Sequence, residues 1–291
     1  FISFFSLSEA FASLSYTDIL GKSILAEKRK GFLSLRQVIS SILIFLSAFA
    51  VKEVLKMYDF PQNYSMLFTL AGIFLALGSL GFWKLKEIEV EKQHENPGFL
   101  PFLHLLKSEL KGNRNLWSYI MIINTLGIGM GVLPFMILFA KNNIGLEASQ
   151  IGNFVIFKTI GLVLSGLLIF RYSQKLGYKS LLYIAIFVGV LIPIFGIVFG
   201  NNEAIFSFVF LLGGIYIALF TVTRSGVLLE ISTNSNRVLY AGISGIGSIL
   251  ITIFPLLSGL VIDNFGFTVF FVLISLTIVT SIFFVHRLQC K

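Results

Sequence analysis

Apolar residues arrive in blocks of about twenty, each bounded by a short polar or basic stretch. Nine such blocks stand out: residues 1–20, 38–56, 64–83, 115–139, 148–170, 180–199, 204–228, 238–261 and 267–286. About twenty apolar residues in helical form cross the hydrocarbon core of a bilayer. The blocks are too long for barrel strands and show no period-two alternation, so the pattern predicts nine membrane-spanning helices. The expected fold class is an all-α membrane protein, a multi-span helical bundle.

The polar stretches between the blocks are not all alike. The basic turn Glu27-Lys28-Arg29-Lys30-Gly31 separates the first two blocks. A comparable turn, Ser235-Asn236-Arg237, lies between the run ending at Leu229 and the run starting at Val238. Placing Arg29 on Arg237, an offset of 208 residues, also places Ser13 on Thr221, Leu20 on Leu228, Phe32 on Tyr240 and Ser40 on Ser248. The identities are few, but a whole pattern of helix, basic turn and helix recurs, as in a membrane protein built from two structural repeats.

Composition agrees with a lipid environment. Charged residues are 12% and hydrophobic residues 56% of the 291 residues, and 32 are Phe; a soluble domain carries about 25% charged residues. The net charge of +8 does not indicate nucleic acid, because the charges lie in short loops between apolar blocks, where they set topology and meet anionic lipid. Most of the 22 lysines and arginines fall on the side of the basic turn, with Lys52, Lys56 and Lys141 on the other and Lys158 and Arg224 within blocks. The positive-inside rule then makes that side, and the C-terminus, cytoplasmic, in an inner or plasma membrane. The one cysteine, Cys290, provides no disulfide framework. His94, His104 and His286 lack Cys or acidic neighbours at ligand spacing, so neither a metal nor a cofactor is expected.

Residues 84–114 form the one long connection. It opens with alternating charge, turns at Asn96-Pro97-Gly98, and continues with Leu103, Leu106 and Leu110 on one face. That part reads as an amphipathic helix on the cytoplasmic membrane surface, with Trp83 and Trp117 at the interface on either side. The expected organisation is residues 1–83 as three helices of a first bundle, 84–114 as a linker, and 115–291 as a six-helix bundle. If the bundles are repeats, three more helices, on the order of 100 residues, precede Phe1. No basic n-region or small-residue cleavage site marks residues 1–20 as a signal peptide.

With these features the chain resembles the major facilitator superfamily, helices four to twelve of its twelve. The resemblance rests on the six-plus-six arrangement with its long central loop and on the two basic turns. It rests also on Gly166-Leu-Leu-Ile-Phe-Arg171-Tyr-Ser-Gln-Lys175-Leu-Gly177-Tyr-Lys179, similar to the loop between helices eight and nine, and on Gly259-Leu-Val-Ile-Asp263-Asn-Phe-Gly266-Phe, between helices eleven and twelve. One departure stands out: Gln174 precedes Lys175 where the family signature often has Asp, so the latch that the resemblance implies for that Asp is not expected here in the same form. The resemblance implies two pseudo-repeat bundles, the first incomplete, around a central cavity bordered by helices four and eight.

Ionisable residues inside spans are costly and default to functional roles. Glu9 and Lys158 lie at similar depth, one in each bundle, and are candidates for the cavity, with Glu9 able to carry a proton; the alternative is a structural charge or a snorkelling lysine. Asn124 is a further candidate for solute binding, or else for an interhelical hydrogen bond. Asp18, Arg29, Arg171, Lys175, Gly177, Arg224, Glu230 and Arg237 sit near helix ends on the basic side. They form either a cytoplasmic gate of ion pairs or a set of topology charges. Glycines near Gly127, Gly129 and Gly131 with Pro134, and near Gly242, Gly245 and Gly247 with Pro255, suit close packing or bending.

The expected function is secondary active transport of a small solute by alternating access, proton-coupled, by a monomer embedded in lipid. No ATP-binding signature accompanies it. The alternatives are a membrane-embedded enzyme acting on a lipid-linked substrate, for which acids and histidines are too scattered, and a non-transporting sensor of the same fold.

Overall fold

The computed structural model describes residues 2–81, 108–145 and 148–290. The linker around Asn96-Pro97-Gly98, with Trp83, Leu103 and Leu106, lies outside the described residues. The described chain runs through α1 (Ile2–Ser23), α2 (Ala26–Met57), α3 (Gln62–Leu80), α4 (Arg114–Met130), α5 (Val132–Ile144), α6 (Ala148–Arg171), α7 (Tyr178–Phe199), α8 (Glu203–Ile231), α9 (Arg237–Gly247) and α10 (Ile249–Arg287). The described residues of each of the nine apolar blocks fall on helix, save at the breaks. Two blocks are broken: one at Gly131, between α4 and α5, and one at Ser248, between α9 and α10. Within α10, Gly266 takes φ 77°, so the last two blocks are separate helices meeting at a glycine whose conformation an L side chain would strain.

Local chemistry places several helix ends. The Asn113 side chain accepts from the Leu116 amide at 3.0 Å and Asn202 from the Ile205 amide at 3.2 Å, each satisfying an otherwise orphan donor in a first turn. Gly145, in the left-handed conformation, closes α5.

Among the described residues, seven helical stretches are long and apolar enough to cross a membrane. One of them, Arg237–Arg287, holds two of the nine blocks. The α1 helix is not among the seven. Its sequence is interrupted by serines, Glu9, Asp18 and Lys22.

The tightest packing is between α6 and α8, where backbones touch. A Cβ on Gly161 would overlap the Leu211 carbonyl, and one on Gly214 would overlap the Lys158 carbonyl. In lipid, helices gain contact by this close approach of small residues. Phe154 and Phe210 stack at 4.3 Å across the same pair, and Phe139, Phe206 and Phe271 extend the cluster. The part before the linker, α1–α3, and the part after it, α4–α10, here called the two halves, meet chiefly through α2 against α6, where Gly166 faces Val38 and buried Ser34. By contrast α3 is nearly bare: Phe68 is 74% and Phe74 70% exposed. Bare apolar side chains of this kind suit lipid as their surroundings.

Candidate functional site: a cavity above an arginine layer

Helices α1, α6 and α8 end, and α2 and α9 begin, on one face of the bundle, and the basic turns collect there. Arg29, at the start of α2, donates to three backbone carbonyls: Gly21 at 2.7 Å, Ile24 at 3.0 Å and Leu229 at 3.0 Å. Gly21 is in the last turn of α1, Ile24 follows its end, and Leu229 is in the last turn of α8. One cation thus caps two helix C-termini and joins the halves, where orphan carbonyls and the helix dipoles both favour positive charge.

Arg237, at the start of α9, is 2% exposed. Its Nη2 donates to Asn234 Oδ1 at 2.9 Å, and its Nη1 lies 3.5 Å from Asp18 Oδ1 on α1. The other Asp18 oxygen pairs with Lys22 at 2.6 Å. The Arg237 guanidinium rests on Gly21, where any Cβ would collide with it. Nε and Nη1 of Arg237 and Oδ1 of Asp18 make no hydrogen bond, so a nearly buried charge is held by an imperfect ion pair. A second set of contacts joins α2 to the turn after α6. Lys30 donates to the Leu176 carbonyl and lies 4.5 Å from the Tyr178 ring centroid, while Gln174 donates to the Glu27 carbonyl at 3.4 Å. Gln174 therefore contacts the first half through its amide.

Immediately inside this layer is a cavity of about 610 Å³ between the halves, floored by Leu20, Leu33, Leu228 and Leu229. Such a volume matches small-molecule sites, which run from about 300 to 1,000 Å³. Its walls come from α1, α2, α4, α8 and α9. The polar interruptions of α1 face it: Glu9, Ser13, Tyr16 and Thr17 all lie on the wall. The charged side chains among the lining residues are Glu9, Arg36 and Arg224. The Arg36 guanidinium sits 4.8 Å from the Tyr16 ring centroid. The Arg224 carbonyl accepts from the Tyr119 hydroxyl at 2.8 Å.

The candidate residues from the sequence separate into groups. Glu9 is exposed on the cavity wall. Lys158 is half-buried on α6, away from the lining residues, with its carbonyl against Gly214. Asn124 is buried and also away from the cavity: its amide donates to the Ile120 and Gly247 carbonyls at 2.9 and 2.7 Å, and its oxygen accepts from the Leu250 amide at 3.2 Å. It braces the break between α9 and α10, which is the interhelical role. Asp18, Arg29 and Arg237 form the layer. Arg224 stands on the cavity wall, about one turn of α8 further in than Leu228. Arg171 and Lys175 are exposed on the turn after α6, and Gly177 precedes the first turn of α7. Glu230 is exposed and interacts electrostatically with Lys30 and Cys290. Sequence reasoning passed over Arg36, which counted as a topology charge, and Gly21, whose missing side chain makes room for Arg237.

No family model matches the chain, and no curated protein matches it. Among solved structures it is similar to a major facilitator superfamily transporter, FucP, in the outward conformation, with 13% identity, a TM-score of 0.69, and coverage of 95% of this chain and 72% of that one. At such low identity the likeness speaks to architecture. The protein is an integral membrane helical bundle with the major facilitator fold.

Proposed function

We propose that this chain belongs to a secondary transporter that moves a small solute by alternating access, with the basic face cytoplasmic. The observation carrying this reading is the placement of a solute-sized cavity directly behind an inter-half layer of charged contacts. Alternating access requires contacts that exist in one state and break in the other. The Arg29–Leu229 bond and the Arg237–Asp18 pair cross between the halves, beside the Lys30–Leu176 and Gln174–Glu27 contacts, and are the ones proposed to break. The outward conformation of the similar transporter accords with closure at this face. Glu9, a carboxylate on the cavity wall, is the group proposed to carry a coupled proton.

The test uses the full-length protein in proteoliposomes with a cysteine placed on the cavity wall, Ala10→Cys, probed by a membrane-impermeant maleimide. Burial, and after it Glu230, push the Cys290 thiol up to about 11, so this native thiol reacts slowly at neutral pH. Replacing it by serine removes it from the assay. Labelling from the side opposite the basic face is expected, switching to the basic side in Arg29→Ala. Labelling from one side alone in both backgrounds would refute alternating access. For the proton, Glu9→Gln is expected to abolish gradient-driven uptake and leave exchange intact; an unchanged pH dependence of uptake would exclude Glu9 as the carrier.

A further inference from the structure

We infer that the cavity takes an organic anion, gripped through its carboxylate or phosphate oxygens by Arg36 from the first half and Arg224 from the second. The inference rests on the transporter reading for its purpose but on the cavity's own residues for its chemistry. Among the described residues three charged side chains line the cavity, Glu9, Arg36 and Arg224, two cations and one carboxylate. The arginines come from opposite sides of the interface, on α2 and α8, and both are exposed to the cavity.

Each arginine has a tyrosine neighbour. The Tyr16 ring lies against the Arg36 guanidinium at 4.8 Å, and both side chains line the cavity. Beside Arg224, the Tyr119 hydroxyl is tied to the main chain of the same residue at 2.8 Å. Guanidinium groups bind carboxylates and phosphates through paired, planar hydrogen bonds, which a compact ammonium cannot reproduce. Glu9 is seven residues before Tyr16, about 10 Å along α1. Glu9 and Tyr16 thus line the cavity at two levels of α1, and the body of the solute is assigned to the space beside them. Phe220, Met130 and Tyr119 supply apolar wall for that body.

The arrangement also couples binding to movement. Two cations facing one space from opposite halves repel, and an anion between them converts repulsion into attraction. A solute of this charge would draw the halves together, whereas a neutral one would not. This is the differential affinity between states that a transport cycle requires.

The experiment measures binding to the purified full-length protein in nanodiscs, by thermal shift and by calorimetry, with four probes of one shape: benzoate, phenyl phosphate, benzamide and benzylammonium. Binding by one or both anions is expected, with none by the neutral or cationic probe, and the two anions distinguish carboxylate from phosphate recognition. Arg36→Gln and Arg224→Gln are each expected to weaken anion binding by about ten-fold or more, the scale of a lost charge-assisted hydrogen bond. Arg36→Lys keeps the charge and the fold and should recover only part of the loss, because the planar fork is gone. Equal binding of benzamide, anion binding that survives the Arg36→Gln/Arg224→Gln double substitution, or no binding of either anion would each overturn the inference. Anion binding without alternating cysteine access would leave this site standing and remove only the transport reading.

Discussion

Arg29 and Arg237 occupy positions that the 208-residue offset makes equivalent, yet they hold the basic face together in different ways. Arg29 donates to the carbonyl of Gly21 and also to that of Leu229, the residue the same offset pairs with Gly21. It therefore occupies both of the acceptor positions that a symmetric pair of arginines would share. Arg237 is left to lie over Gly21 and lean on Asp18 at 3.5 Å. The equivalent space on the other side is taken by a leucine, 1% exposed. At the position the offset pairs, glycine stands in one stretch and leucine in the other, among many other differences. The outcome is one arginine satisfied by backbone and one held by a carboxylate. A bond to backbone carbonyls is neutral on the acceptor side and persists as long as the helix ends do. A nearly buried ion pair depends on both charges being present.

Substitutions at the layer should separate these modes. The largest effect is expected from Asp18→Asn, which leaves Arg237 nearly buried without its carboxylate. Breaking one partner of a buried pair costs about 3–5 kcal/mol, so the layer should open, read as a longer spin-label distance between α1 and α9 and as a lower unfolding temperature. Arg29→Ala comes next. It removes the single hydrogen bond to Leu229 across the halves, worth about 1.5–3 kcal/mol for a charged donor, and should shift the population toward the open basic face on the order of ten- to a hundred-fold, measured by cavity-cysteine labelling rates. Arg237→Met should do least. Removing a poorly paired buried cation and filling its space with an apolar chain is expected to change stability by less than about 1 kcal/mol or to raise it, and Lys22 remains to pair with Asp18. If Arg237→Met opened the layer as far as Asp18→Asn, the contrast between the two arginines would be lost. A Gly21→Ala substitution sharpens the same comparison, because the added methyl must displace the Arg237 guanidinium while leaving the Arg29 bonds to carbonyls in place.

Much of the architecture was legible from hydropathy alone, because twenty apolar residues in lipid have few stable alternatives to helix. The breaks were partly legible. The run Gly127-Ile-Gly129-Met-Gly131 announced close approach, and Gly127, Gly129 and Gly131 meet Ile251, Tyr216 and Phe254. What Asn124 does was not readable, since its partners Gly247 and Leu250 lie more than a hundred residues away. Arg36 was hidden by its position: a cation near the start of a helix on the basic side looks like any other topology charge until a cavity is found beside it. The low hydropathy of α1 carried a signal that depth alone did not. A helix that breaks its apolar run with Glu9, Ser13, Tyr16 and Thr17 is facing something other than lipid.

By itself the sequence determined that the chain lives in a bilayer, where its helices run, and which loops are basic, because the cost of placing backbone or charge in hydrocarbon acts on local stretches. Only the tertiary structure decided which charges meet. Arg29 reaches Leu229, Arg237 reaches Asp18, and Arg36 and Arg224 face one cavity across distances along the chain that no local rule spans. Whether a polar side chain in lipid becomes a brace, a lock or a binding group depends on the helix that comes to lie beside it.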